Sequence, residues 1–399
     1  MAERKAKHLE ICLDDQQYAI EGGDSGFGNF RFIHRALPEL SAQDIDTSLD
    51  FLGYRVSMPL FISSMTGGSD SGFLANRHLA SIAQTARIPV GMGSIRILFR
   101  KPEVLAHFTL KKLAPDVPVV ANLGAVQVRD MVHNQIFEML KRLEVDGIAI
   151  HLNPAQELFQ PEGDRDFHGI LDSIRRFCHA CPVPVIVKET GCGIGAQEAV
   201  RLLQSGVAYV NIAGSGGTNW VSVERYRAQG VLATAADQFR NWGNPTALVL
   251  AGLRSMEEQN RLPYTNLKAK TVHQTIAIQA ADRSVQQSTD PKNKSEQSFR
   301  GILGGRILAS GGIRTGMDFA LSIALGAWMA GTALPFIRAV NSGGPEAGLA
   351  YAETMRTVLK NIMTLTSSHN LSVLRTRPLL INPSYKETID QYIRAMGVA

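Results

Sequence analysis

Eight short apolar runs punctuate the chain, each closing on small or polar residues: Pro59–Ser64, Ile88–Ser94, Pro118–Gly124, Gly147–Asn153, Pro184–Glu189, Ala208–Gly214, Arg306–Gly311 and Trp328–Pro335. Most are continuously apolar rather than alternating, the pattern of parallel strands covered on both faces. Helical spacing separates them. Asn76–Ala86 repeats Leu79, Ile82 and Ala83, Gln197–Leu203 repeats Ala199, Val200 and Leu203, and Leu171–Cys178 forms a third helix. A ninth run, Ala247–Leu253, is assigned to a helix, with Asn244 as N-cap and Pro245 at its first position. Eight βα units with no second core predict a (β/α)₈ TIM barrel, a single domain spanning residues 1–399. Residues 1–58 form an amino-terminal segment expected to cover the active site, and residues 366–399 a terminal appendage after a last helix over Pro345–Leu365. Residues 257–300 form a polar insert, with a helix expected around Val272–Val285.

Composition narrows the function. A formal charge of +5 over 399 residues, with no dense Lys/Arg patch interleaved with aromatics, suits an anionic small substrate and argues against nucleic acid. No stretch is long and apolar enough to cross a membrane, and Met1–Asp15 lacks the apolar core of a signal peptide, so a cytoplasmic protein is expected. Four cysteines are too few for a disulfide framework. Cys178-His179-Ala180-Cys181 has metal-site spacing but no second ligand pair, so buried structural thiols are the expectation.

Strand endings carry the chemistry, because side chains at the carboxyl ends of barrel strands face the active site. Ser310-Gly311-Gly312-Ile313-Arg314 after the seventh run and Ala333-Leu334 in the eighth match the usual phosphate site of such barrels, and Gly214-Ser215-Gly216-Gly217-Thr218 adds backbone donors. Asp318 is assigned to a helix start, and Gly191-Cys192-Gly193-Ile194-Gly195 to a turn rather than a dinucleotide fingerprint. Lys188 ends the fifth run, where it can compensate an anionic flavin edge. Asn122 and Ser94 are similarly placed. The fourth run is richest: His151 and Asn153 share a side by strand alternation, followed by Gln156 and by Glu157, a hard-oxygen ligand suited to Mg²⁺. The basic run Arg4-Lys5-Ala6-Lys7-His8 is either a mobile terminus or a diphosphate clamp.

In order along the chain, Arg4-Lys5-x-x-His8, Ser64-Met65-Thr66-Gly67-Gly68, Gly91-Met92-Gly93-Ser94-x-Arg96, Asn122-Leu123-Gly124, His151-Leu152-Asn153-Pro154-x-Gln156-Glu157, Val187-Lys188-Glu189, Gly214-x-Gly216-Gly217-Thr218-Asn219-Trp220 and Ser310–Arg314 resemble the type 2, FMN-dependent isopentenyl-diphosphate isomerases. The resemblance implies flavin contacts from Ser64, Met65, Thr66, Ser94, Asn122, Lys188, Thr218, Gly312, Ile313, Arg314, Ala333 and Leu334. It implies substrate contacts from Arg4, Lys5, Ser94, Ile95, Arg96, His151, Asn153 and Gln156, with Mg²⁺ on Glu157 and His8 closing the amino-terminal segment. His8, His151 and Gln156 are its candidate catalytic residues. It further implies reduction of FMN by NADPH or NADH, a redox-neutral shift between isopentenyl and dimethylallyl diphosphate, and a homo-tetramer or homo-octamer. Two features depart from the family pattern: Ile95 stands where glutamine is usual, and the polar insert is long. The alternatives are a 2-hydroxy acid oxidase on the same barrel and a catalytically silent flavin- or phosphate-binding scaffold.

Overall fold

Eight parallel strands close into a barrel in chain order: β1 (Leu60–Ile62), β2 (Val90–Gly91), β3 (Val119–Gly124), β4 (Gly147–His151), β5 (Val185–Lys188), β6 (Tyr209–Asn211), β7 (Ile307–Ser310) and β8 (Met329–Thr332). The computed structural model describes residues 2–64, 70–259 and 302–396; for residues 2–5 and 70 it describes the backbone only. All eight expected strands are present and each lies within its apolar run. They are shorter than the runs because the ladder covers only the staggered middle of each, two residues in the case of β2. The strands are buried almost throughout and merge with the flanking helices into one apolar core.

Helices follow the strands: α1 (Ala2–Leu13), α2 (Asp70–Ala86), α3 (Ala125–Asp130), α4 (His133–Leu143), α5 (Pro154–Phe159), α6 (Ile170–Ala180), α7 (Ala196–Gln204), α8 (Trp220–Arg225), α9 (Gly230–Asp237), α10 (Thr246–Glu258), α11 (Gly316–Ala324), α12 (Leu334–Leu365), α13 (Leu371–Thr376) and α14 (Pro383–Ala395). The ninth apolar run is helical, as expected, but Pro245 is the N-cap of α10 rather than its first residue. Glu257 and Glu258 belong to the last turn of α10, so the insert starts later than its composition implied. The expected helix over Val272–Val285 lies outside the described residues. The last barrel helix starts eleven residues before Pro345. It breaks at Gly343–Gly344 and resumes, and its first two residues, Leu334 and Pro335, lay in the apolar run assigned to the eighth strand.

The amino-terminal end of the barrel is plugged by a hairpin, Leu49–Phe51 paired with Tyr54–Val56. Its turn residue Leu52 packs against Gly147 at the start of β4, and Phe51 meets the Tyr209 ring of β6 at 5.0 Å. Beside it, the buried Lys111 ammonium donates to Asp146 Oδ2 (2.7 Å), Tyr54 Oη (2.8 Å) and the Val117 carbonyl (2.9 Å). Asp146 also accepts from Tyr54 Oη and from the Val119 amide, so one carboxylate ties the hairpin to β3. Truncating one partner of a buried pair strands the other charge. Asp146→Ala is therefore expected to cost roughly 3–5 kcal/mol of stability, measured as a lower urea midpoint; an unchanged midpoint would show that this pair holds nothing.

The segment after Leu365 is more than an appendage. Leu379–Ile381 pairs antiparallel with Phe30–Phe32, and Tyr392 of α14 accepts from the Ala196 amide that opens α7. Arg375 is buried with its guanidinium 4.8 Å from the Trp328 ring, donating to the Ala327 and Trp328 carbonyls.

Candidate active site

The register of neighbouring strands sets polar groups side by side at the carboxyl end. Gly124 pairs with His151, His151 with Lys188, and Lys188 with Asn211. Lys188 is buried and donates to its neighbour's carbonyl, Glu189 O, at 2.7 Å. Burial pulls its ammonium down to about 8, against the pull of Glu189, so it stays charged at neutral pH. The buried Glu189 carboxylate accepts from the amides of Gly191, Cys192 and Gly193. Burial pushes its pKa up, while those three donors and Lys188 oppose the shift. This carboxylate fills the concave turn at Gly191–Gly195, which supports the turn reading there and leaves no anion cradle.

Above Lys188 opens a cavity lined by the ends of β1, β5, β7 and β8 and by the loops that follow β5–β8. Seven residues expected to contact flavin line it: Ser64, Lys188, Thr218, Gly312, Arg314, Ala333 and Leu334. The glycine loops after β6 and β7 touch backbone to backbone. A Cβ on Gly311, whose φ is +96°, would sit 2.0 Å from Gly214 O, and one on Gly217 would sit 2.5 Å from Gly312 N. The amides of Gly214, Ser215 and Gly216 are taken by the carbonyls of Ser310, Asn244 and Gly22, so these three expected donors serve the protein itself. Arg314 reaches the cavity while paired with Glu21 of the amino-terminal segment, whose strand-like bridge to Thr218 fixes it there. Asp318 forms a capping box with Thr315, the helix-start role expected of it.

A second group surrounds β4. His151 Nδ1 lies 2.7 Å from Asn122 Oδ1, so Nδ1 carries a proton and donates to that oxygen. Asn153 Nδ2 donates to Gln156 Oε1 (3.1 Å) and Glu157 Oε1 (3.0 Å); Glu157 Oε2 accepts from the Asp164 amide (2.9 Å) and from Gln160 Nε2 (3.3 Å). Neutral donors thus orient the Glu157 carboxylate. Gln156 Nε2 donates to Glu224 Oε1 (3.0 Å), and His8 Nε2 meets the same oxygen at 2.9 Å, its ring edge-on to Trp220 at 5.3 Å. The Glu224 side chain has no exposed surface. Burial alone would raise its pKa, but His8, Gln156 and Arg227 together hold it below the usual carboxylate value.

The remaining expected residues divide. Ser94 caps the 3₁₀ turn Ile95–Phe99, and Asn122 is drawn to His151. Ile313 is fully buried and is not among the residues that line the cavity. Ile95 is corrected: its side chain is wholly buried in the main core, so it offers nothing to a substrate. Arg96 is half-buried and makes no ion pair among the described residues. Met65 and Thr66 lie outside the described residues, as do the side chains of Arg4 and Lys5, whose backbone belongs to α1. Burial pushes the Cys178 and Cys181 thiols up to about 12, as befits structural thiols.

Sequence reasoning missed Asn211, Glu224 and Arg227. Asn211 ends strand β6 as Lys188 ends β5 and accepts from Ser310 Oγ at 2.8 Å, but it lies inside the apolar run Ala208–Gly214, so reading run endings passed over it. Glu224 stands three residues after the buried Val221 on one helix face, a periodicity that marks an inward carboxylate.

Fold and site define a closed (β/α)₈ barrel with a glycine-lined cavity at the carboxyl ends of its strands. Solved structures share the fold: flavocytochrome b2 with sulfite bound (TM-score 0.62, 16% identity, 96% of this chain and 84% of that one) and a putative lactate oxidase of Pediococcus acidilactici (0.58, 14%, 95% and 93%). A mandelate oxidase with a monooxide FMN adduct is also similar (0.54, 15%, 94% and 99%). No family model matches the chain. Curated relatives are far nearer in sequence. The isopentenyl-diphosphate delta-isomerase of Borrelia garinii subsp. bavariensis is 38% identical over 373 residues, covering 94% of this chain and 91% of the relative. That of Chlorobaculum parvum is 36% identical over 394 residues, covering 96% and 98%. The chain belongs to the isopentenyl-diphosphate delta-isomerase family.

Proposed function

We propose that this protein interconverts isopentenyl diphosphate and dimethylallyl diphosphate on reduced FMN, with NADPH or NADH as reductant and Mg²⁺ on the diphosphate. The observation that carries this reading is the register of His151 opposite Lys188. It sets a glycine-loop cavity fit for a phosphorylated flavin directly beside a cluster fit for a metal diphosphate. The 35–38% identity to named isomerases over nearly the whole chain supports it over a 2-hydroxy acid oxidase, a likeness that rests on 13–16% identity.

The residues present fit both groups. Lys188 offers one desolvated cation at the cavity floor, and Gly312, Ala333 and Leu334 line the phosphate end. Among the described residues no cluster of three or more His, Cys, Asp or Glu could hold a metal. A lone, oriented Glu157 instead suits Mg²⁺, which takes one or two carboxylates and completes its shell with phosphate oxygens and water. Reduced flavin, when bound, would supply the proton donor and acceptor for the alkene. Around it the chain binds and excludes: Arg96, His151 and Ser94 take diphosphate oxygens, and Asn153 fixes the Gln156 amide toward the substrate. Glu224, ionised and buried, orients Gln156 from the other side and lends negative charge to a carbocation-like transition state. Helix α1 and the Glu21 bridge cover the mouth, with His8 docked on Glu224 and Arg4 and Lys5 on the same helix, while residues 49–56 plug the far end of the barrel. The enzyme works in the cytoplasm as a homo-tetramer or homo-octamer.

Chelation tests the metal arm. Isomerase activity is expected to vanish in EDTA and return with Mg²⁺ while flavin stays bound; activity that survives chelation would overturn the metal role.

A further inference from the structure

Arg227 lies two residues past the end of α8, with its side chain 16% exposed. Its guanidinium touches three separate segments. It donates to Glu224 Oε2 within its own turn, and to Glu162 Oε1 at 3.0 Å in the loop after α5. It also approaches His8 Nε2 of α1 at 3.5 Å. Because His8 Nε2 already meets Glu224 Oε1 at 2.9 Å, that nitrogen carries the proton, and the 3.5 Å approach is a packing contact rather than a second hydrogen bond. The two oxygens of Glu224 are thus divided. Oε1 serves His8 and Gln156, and Oε2 serves Arg227.

We infer that Arg227 is a positioning residue for the isomerase reaction: by bridging the buried Glu224 to Glu162, it aims the Glu224 carboxylate at Gln156 and pins α1 and the loop after α5 together at the mouth. This inference rests on the isomerase reading. Three features of the geometry support it. Arginine alone has the planar fork needed to serve two carboxylates from different elements at once. Glu162 belongs to the loop whose Asp164 amide holds Glu157 Oε2, so the bridge also steadies the carboxylate suited to Mg²⁺. The groups that face Glu224 are His8 from α1, Gln156 from α5 and Arg227 itself. From α9 the charged group is Asp237, which is taken by Arg225 at 2.9 Å. Apart from His8, whose Nε2 meets Oε1, no other cation among the described residues is paired with Glu224 to replace Arg227.

The test uses the full-length FMN holoenzyme and three variants, Arg227→Gln, Arg227→Lys and Glu162→Gln. Arg227→Gln removes the charge that favours ionised Glu224, so the acid limb of the kcat/KM–pH profile is expected to move up by about one pH unit or more, with kcat lower by about tenfold. Arg227→Lys restores the charge but cannot span both carboxylates, so it recovers the acid limb while KM stays raised. Glu162→Gln raises KM and leaves the acid limb in place. A merely structural arginine would not divide pH profile from KM in this way. Hydrogen exchange gives a readout independent of turnover: the amides of residues 6–13 and 160–168 are expected to exchange faster in Arg227→Gln than in wild type. Unchanged exchange together with an unchanged pH profile overturns the proposal. A wild-type holoenzyme that shows this exchange difference yet isomerises nothing overturns the isomerase reading and leaves the bridge standing.

Discussion

Exchanging Lys188 for methionine is expected to stabilise the flavin-free protein at pH 7 and to lower holoenzyme turnover by about 100- to 1,000-fold, the usual loss when a preorganised charge is removed from a reaction site. Both effects have one cause. The Lys188 ammonium is buried, and its only bond among those described is to the Glu189 carbonyl, so folding must strip its water for little return. Its folded pKa of about 8 lies below the free-lysine value of 10.5. The folded state therefore binds the proton more weakly than the unfolded chain. Below pH 8 lysine is charged in both states and the full cost is present, on the order of 3 kcal/mol. Between pH 8 and 10.5 the folded state releases its proton first, stability rises and the cost fades. Thermal unfolding of the FMN-free variants at pH 7 and at the alkaline end of that window checks the sign. The methionine variant should melt higher at pH 7, by a margin that shrinks as the pH rises. Equal melting at pH 7 would show that this charge is not strained in the fold. The loss of turnover follows because the charge that burdens the empty cavity is the one available to an anionic flavin edge.

The second large effect falls on Glu157. Glu157→Gln keeps the shape and the bond from Asn153 but removes the anionic oxygen, so apparent Mg²⁺ affinity should fall by at least about 10- to 100-fold. Turnover at fixed Mg²⁺ should drop by a similar factor or more. FMN binding should stay nearly as in wild type, because the glycine-loop cavity does not include Glu157. Mg²⁺ titrations of activity, with flavin fluorescence quenching as the binding control, separate the two. An unchanged Mg²⁺ dependence removes the metal role from this residue.

The barrel was legible because its strands are buried on both faces, which leaves continuous apolar runs such as Val185–Val187 closing on Lys188. Strand lengths were not legible. Apolarity extends beyond the hydrogen-bonded ladder, as in Ile88–Ser94 against a two-residue β2. The eighth run hid a helix start for the same reason, since Leu334–Ile337 is as apolar as the strand before it. In the site, groups placed by strand endings were found from sequence: Lys188, His151, Asn122 and the loop at Gly311–Gly312. Groups placed by helix packing were not. Glu224 and Arg227 resemble surface charges in Trp220–Arg227, and only the docking of α1 and α5 on α8 turns them inward. Ile95 shows the converse error. Its neighbours Ser94 and Arg96 can face the mouth, but within a 3₁₀ turn the residue between them points into the core. The amino-terminal basic run took helical form because Leu9, Ile11 and Cys12 give it an apolar face, buried in part against Val223 and Leu334.

The most direct test of the central claim is an anaerobic incubation of the FMN holoenzyme with Mg²⁺, NADPH and isopentenyl diphosphate, with products followed by NMR and NADPH by absorbance. Dimethylallyl diphosphate should appear over many turnovers while NADPH is consumed only in reducing the flavin once. Stoichiometric NADPH oxidation without isomer, or bound reduced flavin with neither product, would contradict the assignment.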